Sequence, residues 1–219
     1  MLLLAVDTSG LTGSLALALV EEGQIRECWD SSWIKKAMHS EVATVELHSL
    51  LMRAGQTLPS LTHLAVNCGP GSFTGLRVGI NMSKTLAYAL QLPVAPLNTL
   101  EIIALREGQV GESIFVALKA VQNFFYCAAY TKGESTLVCT LEPRSADQNE
   151  LSSLATGSTK AVIEGQSTGF SAQTSAKVLL PLLTELRPPR TFHRWEQIKP
   201  LYIRGSEAEE KLKKKGLLF

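Results

Sequence analysis

Gly69-Pro70-Gly71-Ser72-Phe73-Thr74-Gly75-Leu76-Arg77-Val78-Gly79 is the stretch on which the reading of this 219-residue chain turns. It follows the short apolar run Leu64-Ala65-Val66-Asn67-Cys68 and opens a segment of helical character, 76–91, closed by Pro93. A strand, a glycine-rich turn and a helix N-terminus, in that order, can present backbone N–H groups to an anion. No Gly-Lys-Ser/Thr follows, so the stretch is not a P-loop. Two readings stand on this geometry alone. Gly69, Gly71, Ser72 and Thr74 cradle a phosphate, or the turn is purely structural.

Upstream, residues 2–7 and 14–20 are β-prone runs joined by the turn-rich Thr8-Ser9-Gly10-Leu11-Thr12-Gly13, and a third strand is expected at 25–33. Between Ser40 and Ala54 the period changes to that of a helix, with Ala43, Leu47, Leu50, Leu51 and Ala54 on one face and Gly55 at its end. Downstream, Val94-Ala95-Pro96 is extended and a helix is expected at 99–106. Ile114–Leu118 and Phe124–Tyr130 then repeat the opening hairpin in length and apolarity, a similarity of pattern and not of residues. Beyond Tyr130 the expectations are a strand at 136–141, short helix at 147–155, strand at 161–165 and helix at 172–186 kinked or restarted at Pro181. A charged helix at Ser206–Lys215 comes last, Glu near its start and Lys near its end. The class is α/β, with mixed sheets flanked by helices in two duplicated, hairpin-led lobes. The expected division is 1–107 and 108–219, the last helix being a candidate to pack back on the first lobe.

Composition narrows the function classes. Hydrophobic residues make up 45% and charged residues 19% of the chain, which suits a globular protein with a real core. A formal net charge of +1 leaves nucleic-acid binding dependent on a local basic patch. Cys28, Cys68, Cys127 and Cys139 are widely spaced with no C-x-x-C pair, which speaks against zinc and disulfides. The apolar start Met1–Val6 reaches Asp7 at once and lacks a basic n-region, so it reads as a buried strand, and no apolar run is long enough for a bilayer. A soluble cytoplasmic protein is expected, with no membrane association.

Catalytic constellations are sparse. His39, His48, His63 and His193 include no i, i+4 pair, and Ala43 stands where a second ligand to match His39 would be. No metal site and no catalytic residue is assigned, and no G-x-S-x-G elbow is present. On the helix after the glycine loop, Gly75, Gly79, Ser83 and Ala87 recur every four residues. This row of small side chains either packs on the chain's own sheet or admits a helix from another molecule. Lys211, Lys213, Lys214 and Lys215 form a basic cluster, read either as a solvated helix end or as a weak contact to RNA phosphates.

The run Gly69–Gly79 resembles the signature shared by the TsaB (YeaZ) family and its larger paralogue TsaD, its Ser-Phe-Thr-Gly form being TsaB-like. Ala5-Val6-Asp7-Thr8-Ser9, His39-Ser40-Glu41 and Lys199-Pro200-Leu201-Tyr202-Ile203-Arg204 agree as well. The resemblance covers nearly all of 1–110 and returns at 198–210. It implies the actin-like ATPase (ASKHA) fold and a non-catalytic scaffold role. The protein activated would be TsaD, which transfers threonylcarbamoyl to N6 of adenosine 37 in tRNAs reading ANN codons and binds metal through an HxxxH pair. TsaD and the ATPase TsaE are the implied partners, tRNA being met indirectly through the complex, with homodimers when TsaD is absent. Ala43, Leu47, Leu50, Gly75, Gly79, Ser83 and Ala87 become the interface candidates, on the two helices through which the family pairs. Asp7, Thr8 and Ser9, with Gly69, Gly71, Ser72 and Thr74, become a vestigial nucleotide or anion loop, Asp7 otherwise being a turn residue. The second turn, Lys119-Ala120-Val121-Gln122-Asn123, has no carboxylate, and Lys119 is expected to stand where Asp7 stands in the first. No intrinsic cofactor is implied, and ATP or ADP is expected only at the interface of a complex. The competing classes are a free-standing actin-like ATPase or kinase and a metal-dependent transferase acting alone.

Overall fold

The computed structural model describes residues 1–34, 39–120, 122–167, 174–184 and 191–203, without the His39 side chain. The expected helix at 206–215 and the lysine cluster lie outside the described residues.

The first half is a five-stranded sheet. Strands β1 (Leu2–Asp7), β2 (Thr12–Glu21) and β3 (Gln24–Ile34) form a meander, helix α1 (His39–Arg53) leads to β4 (His63–Asn67), and α2 (Phe73–Leu90) leads to β5 (Val94–Leu97). The order across the sheet is β3-β2-β1-β4-β5, with β1 antiparallel to β2 and parallel to β4. Helix α3 (Thr99–Glu107) then crosses to the second half, where β6 (Ser113–Lys119), β7 (Phe124–Lys132), β8 (Leu137–Asp147), α4 (Leu151–Leu154) and β9 (Lys160–Ile163) precede α5 (Ala176–Thr184). That sheet runs β8-β7-β6-β9, with β6 antiparallel to β7 and parallel to β9. The connection pattern of the first sheet is thus repeated, as the duplicated hairpins implied.

Side-chain alternation stacks the layers. Leu2, Leu4 and Val6 of β1 face a core filled by Ala43, Leu47 and Leu50 of α1 and Leu76 and Ile80 of α2. Leu3 and Ala5 face the opposite way, onto Ile102 and Leu105 of α3 and Leu179, Leu180 and Leu183 of α5. Helix α3 is shared, since Leu100, Ile103 and Ala104 on its other side pack with Ile114, Val116 and Leu118 of β6. Phe115 and Ala117 point outward again, to Ala146 and Leu151. With both sheet faces covered, β1 is buried from end to end, which is why its sequence is a continuous apolar run.

Four expectations shift. Helix α2 begins at Phe73, earlier than residue 76, because the Ser72 hydroxyl accepts from the Gly75 N–H and caps it inside the loop. Strand β8 continues to Asp147, where it had been expected to stop at 141. Pro143 is tolerated on this edge strand, at the register shift between Arg144 and Leu141. The following helix shrinks to four residues, since Asp147 Oδ1 accepts from the Asn149 and Glu150 N–H groups and holds a turn there. Helix α5 runs through Pro181 as one element. No described helix is long and apolar enough to cross a membrane.

The cysteines give a direct check on these layers. Burial pushes the Cys68 thiol up to about 12 and the Cys127 thiol up to about 11 from 9.0. Cys139 is exposed and Cys28 half-buried. A disulfide-exchange reagent at pH 8 is expected to label Cys139 quickly, Cys28 slowly, and the other two only on unfolding. Because the fold holds the protonated thiols, their contribution is intact below pH 9 and is lost as pH rises toward 12. Cys68→Ala should flatten that alkaline loss of stability in urea titrations.

Candidate functional site

The first hairpin turn and the glycine loop meet at the carboxyl ends of β1 and β4. Asp7 is buried there, and both of its oxygens are engaged. Oδ1 accepts from the Ser9 N–H at 2.9 Å and the Ser9 hydroxyl at 2.7 Å. Oδ2 accepts from Asn67 Nδ2 at 3.2 Å and from the Thr174 hydroxyl, which arrives just ahead of α5. The other end of the Asn67 amide accepts from the Gly69 N–H and the Thr99 hydroxyl, both at 2.9 Å. Ser14 Oγ receives the Ala176 N–H at 2.8 Å and so anchors the first turn of α5. The result is a closed polar knot joining β1, β4, α3 and the α5 approach, with every member buried.

Around the knot, backbone meets backbone. Ser72 N–H donates to the Ser9 carbonyl at 2.7 Å, and the Thr8 hydroxyl donates to the Gly75 carbonyl at 2.7 Å. A side chain at 71 would bring its Cβ to 2.5 Å from Ser9 O, one at 79 would reach 2.5 Å from Thr8 Oγ1, and one at 75 would collide with Thr8 O. The glycines are there because α2 sits directly on the Thr8–Ser9 turn. A third strand of chain closes the loop from outside, Leu201 N–H donating to the Cys68 carbonyl at 2.7 Å.

A sequence model for the family described as TsaD, tRNA N6-adenosine threonylcarbamoyltransferase, matches residues 34–174. The tRNA threonylcarbamoyladenosine biosynthesis protein TsaB of Bacillus subtilis (strain 168) is 39% identical over 104 residues, 48% of this chain and 44% of that protein. TsaB of Escherichia coli K12 is 28% identical over 137 residues, 62% of this chain and 57% of that one. The chain belongs to the TsaB (YeaZ) family. The matches span about half the length of these curated relatives. Two crystal structures agree in fold: a Pseudomonas aeruginosa protein with similarity to peptidase YeaZ (TM-score 0.73, 24% identity, 93% of this chain and 99% of that one) and YeaZ from Pseudomonas aeruginosa (TM-score 0.71, 23% identity, 92% and 99%). The two-sheet architecture is the actin-like ATPase fold.

Several readings of this TsaB-family sequence change once the residues are placed. The anion-loop candidates Asp7, Ser9, Gly69 and Ser72 come together, but their hydrogen-bonding groups serve one another. Ser9, Gly69 and Ser72 all donate their N–H groups internally, so the loop is a lock between elements, with Gly71, Phe73 and Thr74 exposed at its rim. The interface candidates Ala43, Leu47, Leu50, Gly75, Gly79, Ser83 and Ala87 are all buried by the chain's own elements, so the row of small residues is explained by packing on the chain's own sheet. The surfaces of α1 and α2 open to a second molecule carry other residues, among them Val45 and Met52.

Lys119 does not stand where Asp7 does. Leu118 lines the inter-sheet side of β6, as Leu3 and Ala5 do on β1, so the counterpart of Asp7 is Leu118 and Lys119 points to the opposite face. A carboxylate does reach the second turn, from the end of β9. Glu164 Oε2 accepts the Lys119 N–H at 2.7 Å. Among the described residues no three His, Cys, Asp or Glu groups converge as metal ligands. His48 is exposed on α1, and His63 packs edge-on against Phe192 at 4.8 Å.

Asn67 and Thr174 had no assigned role in the sequence. Asn67 carries a readable signal, a polar residue ending an apolar strand two positions before a glycine. Thr174 carries none, being 167 positions from its partner.

Gly75→Ala should destabilise the chain by about 2 kcal/mol or more, since the added methyl meets backbone that cannot rotate away. Gly111→Ala, whose Cβ meets nothing within 4 Å, is the comparison. Its cost should be limited to the strain of φ +88°, and urea midpoints of the two variants give the difference.

Proposed function

We propose that this chain serves tRNA threonylcarbamoyladenosine biosynthesis as a non-catalytic scaffold and activator of a TsaD-type transferase. The observation that carries the reading is the closed knot around Asp7. In an actin-like ATPase the first hairpin turn offers its carboxylate toward phosphate and metal. Here both oxygens are held by four donors from the same chain, and the equivalent turn of the second sheet offers Leu118. With Asp7 fully engaged, and Glu164 at the second turn bonded to the Lys119 N–H, the paired turns are suited to shape and surface, not to turnover. The relatives are named for the same biosynthesis, which gives the process; the division of labour is our inference.

The scaffold meets the transferase through the outer faces of α1 and α2; on α1, Val45 and Met52 are 66% and 68% exposed two helical turns apart. The same face forms a homodimer when the transferase is absent. A TsaE-type ATPase joins as a third component in the cytoplasm, and ATP or ADP binds at the boundary of the assembled complex. The acceptor is N6 of adenosine 37 in tRNAs that read ANN codons.

The test is co-purification with TsaD from the same organism, followed by threonylcarbamoylation of tRNA. Pairing and modification that require both proteins are expected. Val45→Asp with Met52→Asp should weaken pairing at least about tenfold and leave the melting temperature within a few degrees, since both side chains are already in water. A TsaD that modifies tRNA equally well alone would overturn the scaffold role.

A further inference from the structure

One flank of α2 is built unlike the rest of the surface. Phe73, Arg77, Lys84 and Tyr88 fall within about 60° of one another around the helix and span about 22 Å along it. The C-terminal segment lies beside them. Tyr202 stacks on Phe73 with ring centroids 5.0 Å apart, and the Arg77 guanidinium lies 5.2 Å from the Phe73 centroid. Further along, Lys84 Nζ is 5.6 Å from the Trp195 ring centroid, and Tyr88 meets that ring edge-on at 5.4 Å. The strip thus consists of two aromatic pairs, each with a cation. Phe73, Tyr88 and Tyr202 remain 40%, 61% and 45% exposed.

Its charge is one-sided. No Asp or Glu occurs between Glu46 and Glu101. Among the described residues no carboxylate pairs with Arg77, Lys84 or the exposed Lys199, while Glu196 is taken by Arg194 at 3.3 Å. Lys84 donates to the Ile198 carbonyl at 3.4 Å and keeps donors to spare. Exposed rings interleaved with cations that no carboxylate neutralises suit a polymer with both phosphates and free base faces. A duplex hides its bases, and an acidic peptide would leave the rings unused. We infer that this strip binds single-stranded RNA, bases stacking against Tyr202, Phe73 and Tyr88 and phosphates meeting Arg77, Lys84 and Lys199. The inference rests on the proposed role in tRNA modification and adds a direct contact to unpaired nucleotides. Val45 and Met52, which mark the proposed partner face, lie on α1 and not on the strip. Met82 and Leu86, on the other flank of α2, pack in the core that α1 fills.

The test is fluorescence anisotropy of the full chain with a labelled single-stranded RNA of about 10 nucleotides, a duplex of the same sequence, and poly-glutamate. Saturable binding of the single strand is expected, with log affinity falling against log salt at a slope of about −2 for three phosphates. Arg77→Gln with Lys199→Gln should weaken it at least about tenfold and bring the slope to about −0.7. Tyr202→Leu should weaken it about tenfold with the slope unchanged, because stacking releases no counterions. Absent binding, poly-glutamate or duplex binding as tightly, or variants without effect would each overturn the inference. Co-purification of the same variants with TsaD keeps the two readings apart. If pairing and tRNA modification persist while RNA affinity is insensitive, only the strip is wrong; failure of the native chain to pair counts against the scaffold role.

Discussion

Everything in the first half is arranged around the contact of α2 with the turn that ends β1. Gly71 and Gly75 let the loop and the first turn of α2 rest on the Ser9 and Thr8 carbonyls, and Gly79 leaves room for the Thr8 side chain. The contact fixes the height of α2 over the sheet and with it the core that α1 shares. It also orients the glycine loop so that its N–H groups turn inward, toward Ser9 and Asn67. A loop of this composition facing outward would be an anion site. The same residues facing inward make a joint.

The joint gives Asp7 a structural task. Four donors surround its carboxylate, the last of them a hydroxyl from far along the chain. Burying a carboxylate is costly unless its lone pairs are met, and here each oxygen has two partners. Thr174 therefore links the position of α5 to the integrity of the first turn. Substitution at either end disturbs the other across 167 residues of sequence.

The local order of elements was legible in the sequence because its signals are local. Apolar runs broken by Gly, Ser and Thr marked the hairpins, and the period of Ala43, Leu47 and Leu50 marked α1. Phe73, Thr74 and Gly75 belong to α2 and not to the loop, because the helix starts at its Ser72 cap while the apolar pattern starts later. The side-chain partners of Asp7 were not legible, since a hydrogen bond between Asp7 and Thr174 leaves no periodicity. Nor was the role of the small-residue row. Gly75, Gly79, Ser83 and Ala87 announce that something approaches closely without saying whether it belongs to the same chain. Lys119 shows a subtler limit. Aligning the two hairpins by their turns placed it opposite Asp7, whereas the pleat, which decides the face, puts Leu118 there.

The shared helix α3 ties the two halves together. Its opposite sides are sealed into the cores of both sheets, and α5, contributed by the second half, is sealed against the first. Rotating one half away from the other would open two apolar seams at once and pull Thr174 from Asp7. The molecule therefore presents its surfaces as a single stiff block. A partner that docks on such a block meets a shape already in place, and little of the binding free energy is lost to reorganising it.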